Sequence, residues 1–324
     1  AEVALRYFDR AQETGEAEGE HKLAAAGLGN LGLAYADLGE ARRAIGYYEQ
    51  ALQIAREIGD RRGEGNALGN MGVAYKNLGK AQYAIRYFEQ ALEVARQIGD
   101  RRGEGNALGN LGIAYAHLGD AQRAIGHFEQ QLVITREIGD RRGEGMALGS
   151  LGRAYADLGE AQHATGYYKQ QLVITREIGD RHGEVIALGN IGRAYADLGE
   201  ARRAIGYHEQ ALVIQREIGD RRGEAIALDN IGSAYLQLGE ARRAIGYHEQ
   251  ALQIDREIGD RRGEGGVLGN LGNAYFQLGD AWRAIGYYEK RLVIAREIGH
   301  RRGEGAALDN IGSAYLQLGE ARRA

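Results

Sequence analysis

The chain repeats itself. The block Gly-Asp-Arg-Arg-Gly-Glu at Gly59 returns at Gly99, Gly139, Gly179, Gly219, Gly259 and Gly299 with small edits, always forty residues on and without insertion or deletion. A strict period of this length belongs to an array whose units stack on their neighbours, because one unit cannot bury its own apolar face. The 324 residues are therefore expected to form a single solenoid over 1–324, where length alone suggests about two globular domains. About eight forty-residue repeats fit, and no segment is left over for a catalytic domain, so an enzyme is not expected.

One unit, 60–99, reads as two helices. Asp60 follows Gly59 and precedes an apolar stripe, the place of an N-cap. Leu68, Met71, Gly72, Tyr75 and Leu78 fall on one helical face, and Gly79 supplies the left-handed residue that ends the run. A second helix opens near Lys80 with Ala84, Ile85, Phe88, Ala91, Leu92, Ala95 and Ile98 on one face, and Gly99 stops it. Both span roughly 18 residues, or ~27 Å, and the short Leu-Gly turn makes them antiparallel. First-type helices begin near residues 20, 60, 100, 140, 180, 220, 260 and 300. Glycine at Gly72 and its equivalents costs about 1 kcal/mol against alanine, so its recurrence points to close backbone approach; Gly69 points there less strongly. Arg42, Arg43, Glu49, Arg56 and Glu57 read as a solvated, partly salt-paired face.

Composition removes several classes. There is no cysteine, hence no disulfide framework and no thiolate metal site. Lys+Arg (41) nearly balances Asp+Glu (45), giving −4 overall, against the basic surplus a nucleic-acid partner needs. No apolar run approaches the ~18–20 residues that span a bilayer, and the N-terminus shows no signal-peptide pattern; a cytoplasmic location is expected. Residues 1–18 read as an orphan second helix of a preceding repeat, and 320–324 as the truncated start of a further helix.

The run Asn30-Leu31-Gly32-Leu33-Ala34-Tyr35, Leu38-Gly39, Ala44-Ile45, Tyr48, Ala51-Leu52 resembles a tetratricopeptide repeat, and the likeness recurs in every unit. The family's small residues fall on Gly32 and Ala44 and their equivalents. Two features depart from the family pattern: leucine (Leu28, Leu68, Leu108) stands for the usual tryptophan, and arginine (Arg56, Arg96, Arg136 and onward) for the closing proline. The forty-residue form is similar to the repeats of Pins/LGN adaptors, to kinesin light chains more loosely, and to sensor arrays of bacterial signalling ATPases. The resemblance implies an all-α fold, a right-handed superhelical solenoid of antiparallel helix pairs, whose first helices line a concave groove.

Asn30, Asn70, Asn110, Asn190, Asn230, Asn270 and Asn310 stay fixed from unit to unit, with Ser150 the exception. In related repeats this position faces the groove. A carboxamide both donates and accepts, so such a ladder suits the backbone of an extended peptide; capping or bridging of neighbouring helices suits it equally. One turn on, the column reads Leu33, Val73, Ile113, Arg153, Arg193, Ser233, Asn273 and Ser313, and the next Asp37, Asn77, His117, Asp157, Asp197, Gln237, Gln277 and Gln317. Arg153 and Arg193 suit an acidic side chain of a peptide, or pairing with Asp157 and Asp197 on their own helices, the expected state of the free protein.

Gly27-Leu28-Gly29-Asn30-Leu31-Gly32 spells a dinucleotide fingerprint, but it lies mid-helix with no strand before it. His208 and His248 take the place of the Tyr48-type aromatic and are expected to be packed; the other histidines lack metal-ligand spacing. No metal site, cofactor or catalytic arrangement is expected. The leading expectation is a non-enzymatic scaffold that binds a peptide segment of a protein partner in its groove. Head-to-tail self-association into a structural rod and a ligand-sensing array of a larger signalling ATPase are the alternatives.

Overall fold

A computed structural model describes residues 9, 10, 13, 14 and 20–319. The expectations for 1–18 and 320–324, and with them the head-to-tail stacking of those ends, lie outside the described residues save for 9, 10, 13 and 14. Among the described residues the chain forms α-helices and no strand: α1 (His21–Asp37), α2 (Ala41–Glu57), α3 (Arg61–Asn77), α4 (Ala81–Gln97), α5 (Arg101–His117), α6 (Ala121–Glu137), α7 (Arg141–Asp157), α8 (Ala161–Glu177), α9 (Arg181–Asp197), α10 (Ala201–Ile218), α11 (Arg221–Gln237), α12 (Ala241–Ile258), α13 (Arg261–Gln277), α14 (Ala281–Glu297) and α15 (Arg301–Gln317). The chain divides into two compact units, residues 1–160 and 161–324. Within each unit, helices pack on their neighbours in sequence. First helices also touch the first helix one repeat on: α1 on α3, α3 on α5 and α5 on α7 in the first unit, α9 on α11, α11 on α13 and α13 on α15 in the second.

The elements begin and end where their residues require it. Asp100 accepts a hydrogen bond from the Gly103 amide at 3.0 Å, and Asp60, Asp140, Asp180, Asp220 and Asp260 repeat that cap. Asp100→Ala is expected to cost about 1 kcal/mol, read as a lower denaturation midpoint with an unchanged helical spectrum; an unchanged midpoint would show the cap idle. The first helix ends at Gly79 (φ 72°), whose amide bonds Lys76 O while the Lys80 amide bonds Tyr75 O, both at 2.9 Å. This is the double closure of a left-handed C-cap. Leu78 and Ile98, expected on the apolar faces, stand at these C-cap positions and remain partly exposed.

Each core is a ladder of small residue against ring. Phe88 is 0 % exposed, and a Cβ added to Gly72 would stand 2.5 Å from its Cδ1. Gly32 meets Tyr48, Gly112 meets Phe128, Gly192 meets His208, Gly232 meets His248 and Gly272 meets Tyr288 in the same way. His208 and His248 are thus packed core rings, as expected. Gly69 has open space around it, so close packing does not explain that glycine.

The arginine face is half-exposed and salt-paired, and the carboxylates it pairs with are buried. Arg56 Nε donates to Glu64 Oε1 at 2.8 Å, and Arg61 of the next helix donates to the other oxygen of that buried carboxylate. The same clamp joins Arg96 and Arg101 to Glu104 (2.9 and 2.5 Å), and Arg176 and Arg181 to Glu184 (2.7 and 2.8 Å). Burial pushes the Glu104 carboxyl up, but the hydrogen bonds from Arg96 and Arg101 outweigh it and hold the group below the ordinary glutamate value; Glu224 behaves alike. The arginine at the proline position of the resembled family therefore pins the start of the following helix.

Candidate functional site

The first helices of the first unit line a groove of about 950 Å³. Asn30, Asn70 and Asn110 lie along it with Ser150, one per repeat, on α1, α3, α5 and α7. None of the three asparagine side chains makes a hydrogen bond to another described residue, so each carboxamide keeps a donor and an acceptor free. One turn toward the helix N-termini stand Asn66, Asn106 and Met146, the last 61 % exposed. One turn the other way, Leu33, Val73 and Ile113 supply an aliphatic flank. The surface so formed combines carboxamide donors and acceptors with aliphatic side chains.

The ladder is not uniform in the second unit. Asn270 Nδ2 donates to both carboxylate oxygens of Asp229 at 3.0 Å, and His248 Nδ1 donates to Asp229 Oδ1 at 2.8 Å. Asn270 therefore bridges neighbouring helices, the structural role the sequence left open. One turn on, Asn273 Oδ1 accepts from the Tyr288 hydroxyl at 2.8 Å, and Gln277 Nε2 donates to Leu236 O at 3.2 Å. Asn190, Asn230 and Asn310 hold the same helical register on α9, α11 and α15 with no side-chain hydrogen bond to a described residue.

Arg153 and Arg193 are exposed, and neither forms the expected ion pair with Asp157 or Asp197. Exposed pairs of this kind return little for the side-chain entropy they cost. His117 is the last residue of α5 and exposed, away from the groove lining. His208 is 3 % exposed with Nδ1 unpartnered; burial first, then the Arg193 charge, lowers its pKa to about 4. Among the described residues no cluster of His, Cys, Asp and Glu has metal-holding geometry, and no helix is long and apolar enough to cross a membrane.

Sequence reasoning missed Asp229 and Asp255. Column comparison carried the signal: Asp229 stands where units up to it have Gly29, Gly69, Gly109, Gly149 and Gly189. Asp255 stands where others have Ala55, Ala95, Thr135, Thr175, Gln215 and Ala295.

No curated sequence matches the chain. Solved structures share its fold at low identity. The signal transduction ATPase with numerous domains and a tetratricopeptide repeat sensor from Pyrococcus horikoshii superposes with TM-score 0.73 at 18% identity, over 98% of this chain and 49% of that one. The apo form of the quorum sensor NprR from B. thuringiensis gives 0.62 at 14% identity, over 99% and 95%. BtubC from P. vanneervenii gives 0.61 at 19%, over 68% and 92%. Tetratricopeptide repeat profiles match residues 28–62, 63–132, 104–177, 144–217, 183–257 and 267–302. With the helix pairs, glycine-to-ring contacts and repeat period all in agreement, the chain belongs to the tetratricopeptide repeat family.

Proposed function

We propose that the protein is a non-enzymatic interaction scaffold whose first-unit groove holds an extended peptide segment of a protein partner. The observation that carries this reading is the row of unbonded carboxamides at Asn30, Asn70 and Asn110, flanked by Leu33, Val73 and Ile113. Paired amides would grip the main chain with little regard to its sequence, and the aliphatic flank would select apolar side chains.

The test uses a peptide selected from a random displayed library on the full chain. Asn70→Ala/Asn110→Ala is expected to weaken its binding on the order of tenfold to a hundredfold, as two lost hydrogen bonds of about 1 kcal/mol each require. Asn270→Ala, whose carboxamide is already engaged, is expected to leave affinity unchanged. Equal losses in both variants, or none in either, would remove the ladder from the binding surface.

A second reading is that the array is a sensor segment. It is favoured by the match to the Pyrococcus horikoshii protein, whose name includes a tetratricopeptide repeat sensor and of which this chain covers 49%. Both readings use the same groove and differ in what is attached to it; a nucleotide-binding domain encoded in the same reading frame would favour the sensor.

A further inference from the structure

Three columns of the repeat depart from their usual chemistry at one joint of the second unit, two of them also elsewhere (His208, Asp309) and the third at Asp255 alone. Glycine becomes Asp229 on α11, the core aromatic becomes His248 on α12, and a small or neutral residue becomes Asp255 on α12. All three meet where α12 packs between α11 and α13. Asp229 ties the helices together through His248 of α12 and Asn270 of α13. His248 is 0 % exposed and its Nε2 has no partner. Asp255 is 4 % exposed, lies against the first turn of α13 (a Cβ on Gly263 would be 2.8 Å from its Oδ2), and makes no side-chain hydrogen bond to a described residue.

We propose that the α11–α12–α13 joint is a proton-sensitive element of the array, tightened when Asp255 is protonated and loosened when it ionises. The inference is independent of what the groove binds. The groups that face Asp255 are mostly of its own sign: Asp229 from α11, and Asp260 and Glu264 from the start of α13. Arg222 of α11, the cation that acts on Asp255, is already paired with Asp260 at 3.0 Å, and Arg256 of α12 and Arg261 of α13 are both held by Glu264. Burial first, and then these three carboxylates, raise the Asp255 pKa from 3.8 to about 6. The sign follows. The native chain keeps a proton that the unfolded chain has released, so stability is greatest below the ordinary aspartate value. It falls as pH rises from there through about 6, and stays at its lower level above that.

Such a joint changes state across the interval between mildly acidic and neutral conditions. In an array held by nearest-neighbour interfaces, the change is confined to the contacts of α12 with its two neighbours. The test compares the full chain with Asp255→Ala, which restores the residue of Ala55, Ala95 and Ala295, and with Asp255→Asn should the first variant fail to fold. Hydrogen exchange, corrected for intrinsic rates, is read over 251–265 at about pH 5 and about pH 7.5. Relative to the variant, wild-type protection is expected to fall on the order of tenfold between the lower and the higher pH. The variant's thermal midpoint is expected to exceed the wild type's at about pH 7.5 and to converge with it near pH 4. The same pH response in wild type and variant would overturn the proposal. So would an Asp255 carboxyl resonance that titrates at the ordinary aspartate value.

Discussion

Phe88→Ala is expected to destabilise the first unit by about 3–5 kcal/mol, the cost of emptying a fully buried aromatic site. The ring is wholly enclosed in a cluster that includes Leu68, Met71, Ala84, Leu92, Leu108 and Leu111, contributed by both helices of its own repeat and by the next. Because each repeat touches only its neighbours, the cavity opens at a seam that nothing else in the unit can cover. The glycine opposite sharpens the test. At Gly72 a methyl group would enter the Phe88 ring, so Gly72→Ala is expected to cost about 1–3 kcal/mol through overpacking, reduced by the helix-propensity gain of about 1 kcal/mol. Gly69→Ala, with nothing within 4 Å of the new Cβ, keeps the whole gain. The pair Phe88→Ala/Gly72→Ala is expected to be less unstable than the sum of its parts, since the new methyl group fills space the lost ring vacates. Denaturant midpoints for the four variants decide it. Equal stabilisation by Gly72→Ala and Gly69→Ala would show that the first glycine is not kept by the ring.

Much of this was legible from local chemistry. The period fixed the units, Asp60 and Gly79 marked where helices begin and end, and the Gly72 column announced close packing. All of these act within one turn or one helix. What escaped was carried by side chains far apart in sequence. Arg56 reaches Glu64 across a turn, and the clamp is visible only once the glutamate proves buried. Asn270 looks identical to Asn70 along the chain, yet it is engaged because Asp229 lies 41 residues before it on the adjacent first helix. A ladder constant in sequence is therefore uneven in chemistry: free in the first unit, and bound internally at Asn270 in the second. Arg153 and Arg193 failed in the other direction. Their spacing to Asp157 and Asp197 permits pairing, but on an exposed helix face permission is worth little.

His208→Phe is expected to abolish an acid sensitivity worth about 3 kcal/mol in the second unit. The value is the distance between the ordinary histidine pKa of 6.5 and about 4 in the folded chain, at 1.36 kcal/mol per unit. The ring is almost wholly enclosed, packs against Gly192 and has an unpartnered Nδ1, so the folded state holds it neutral. As pH falls below 6.5 the unfolded chain takes up a proton that the native chain refuses. The contribution is thus complete above about 6.5, declines as acid is added, and is gone below about 4. Phenylalanine is the residue of the same column at Phe88 and Phe128, so the substitution keeps the packing and removes the proton. Asp255, in the same unit, works with the opposite sign over an overlapping window, gaining stability as acid is added. The two contributions offset one another in the wild type, so its pH profile between about 4 and 6.5 is expected to be shallow. Asp255→Ala then leaves a chain that weakens in acid, His208→Phe leaves one that strengthens, and the double variant is expected to be nearly flat. Denaturant midpoints of the four proteins across this range supply the check. A His208→Phe profile parallel to the wild type's would mean that the buried ring accepts its proton as readily as the unfolded chain does.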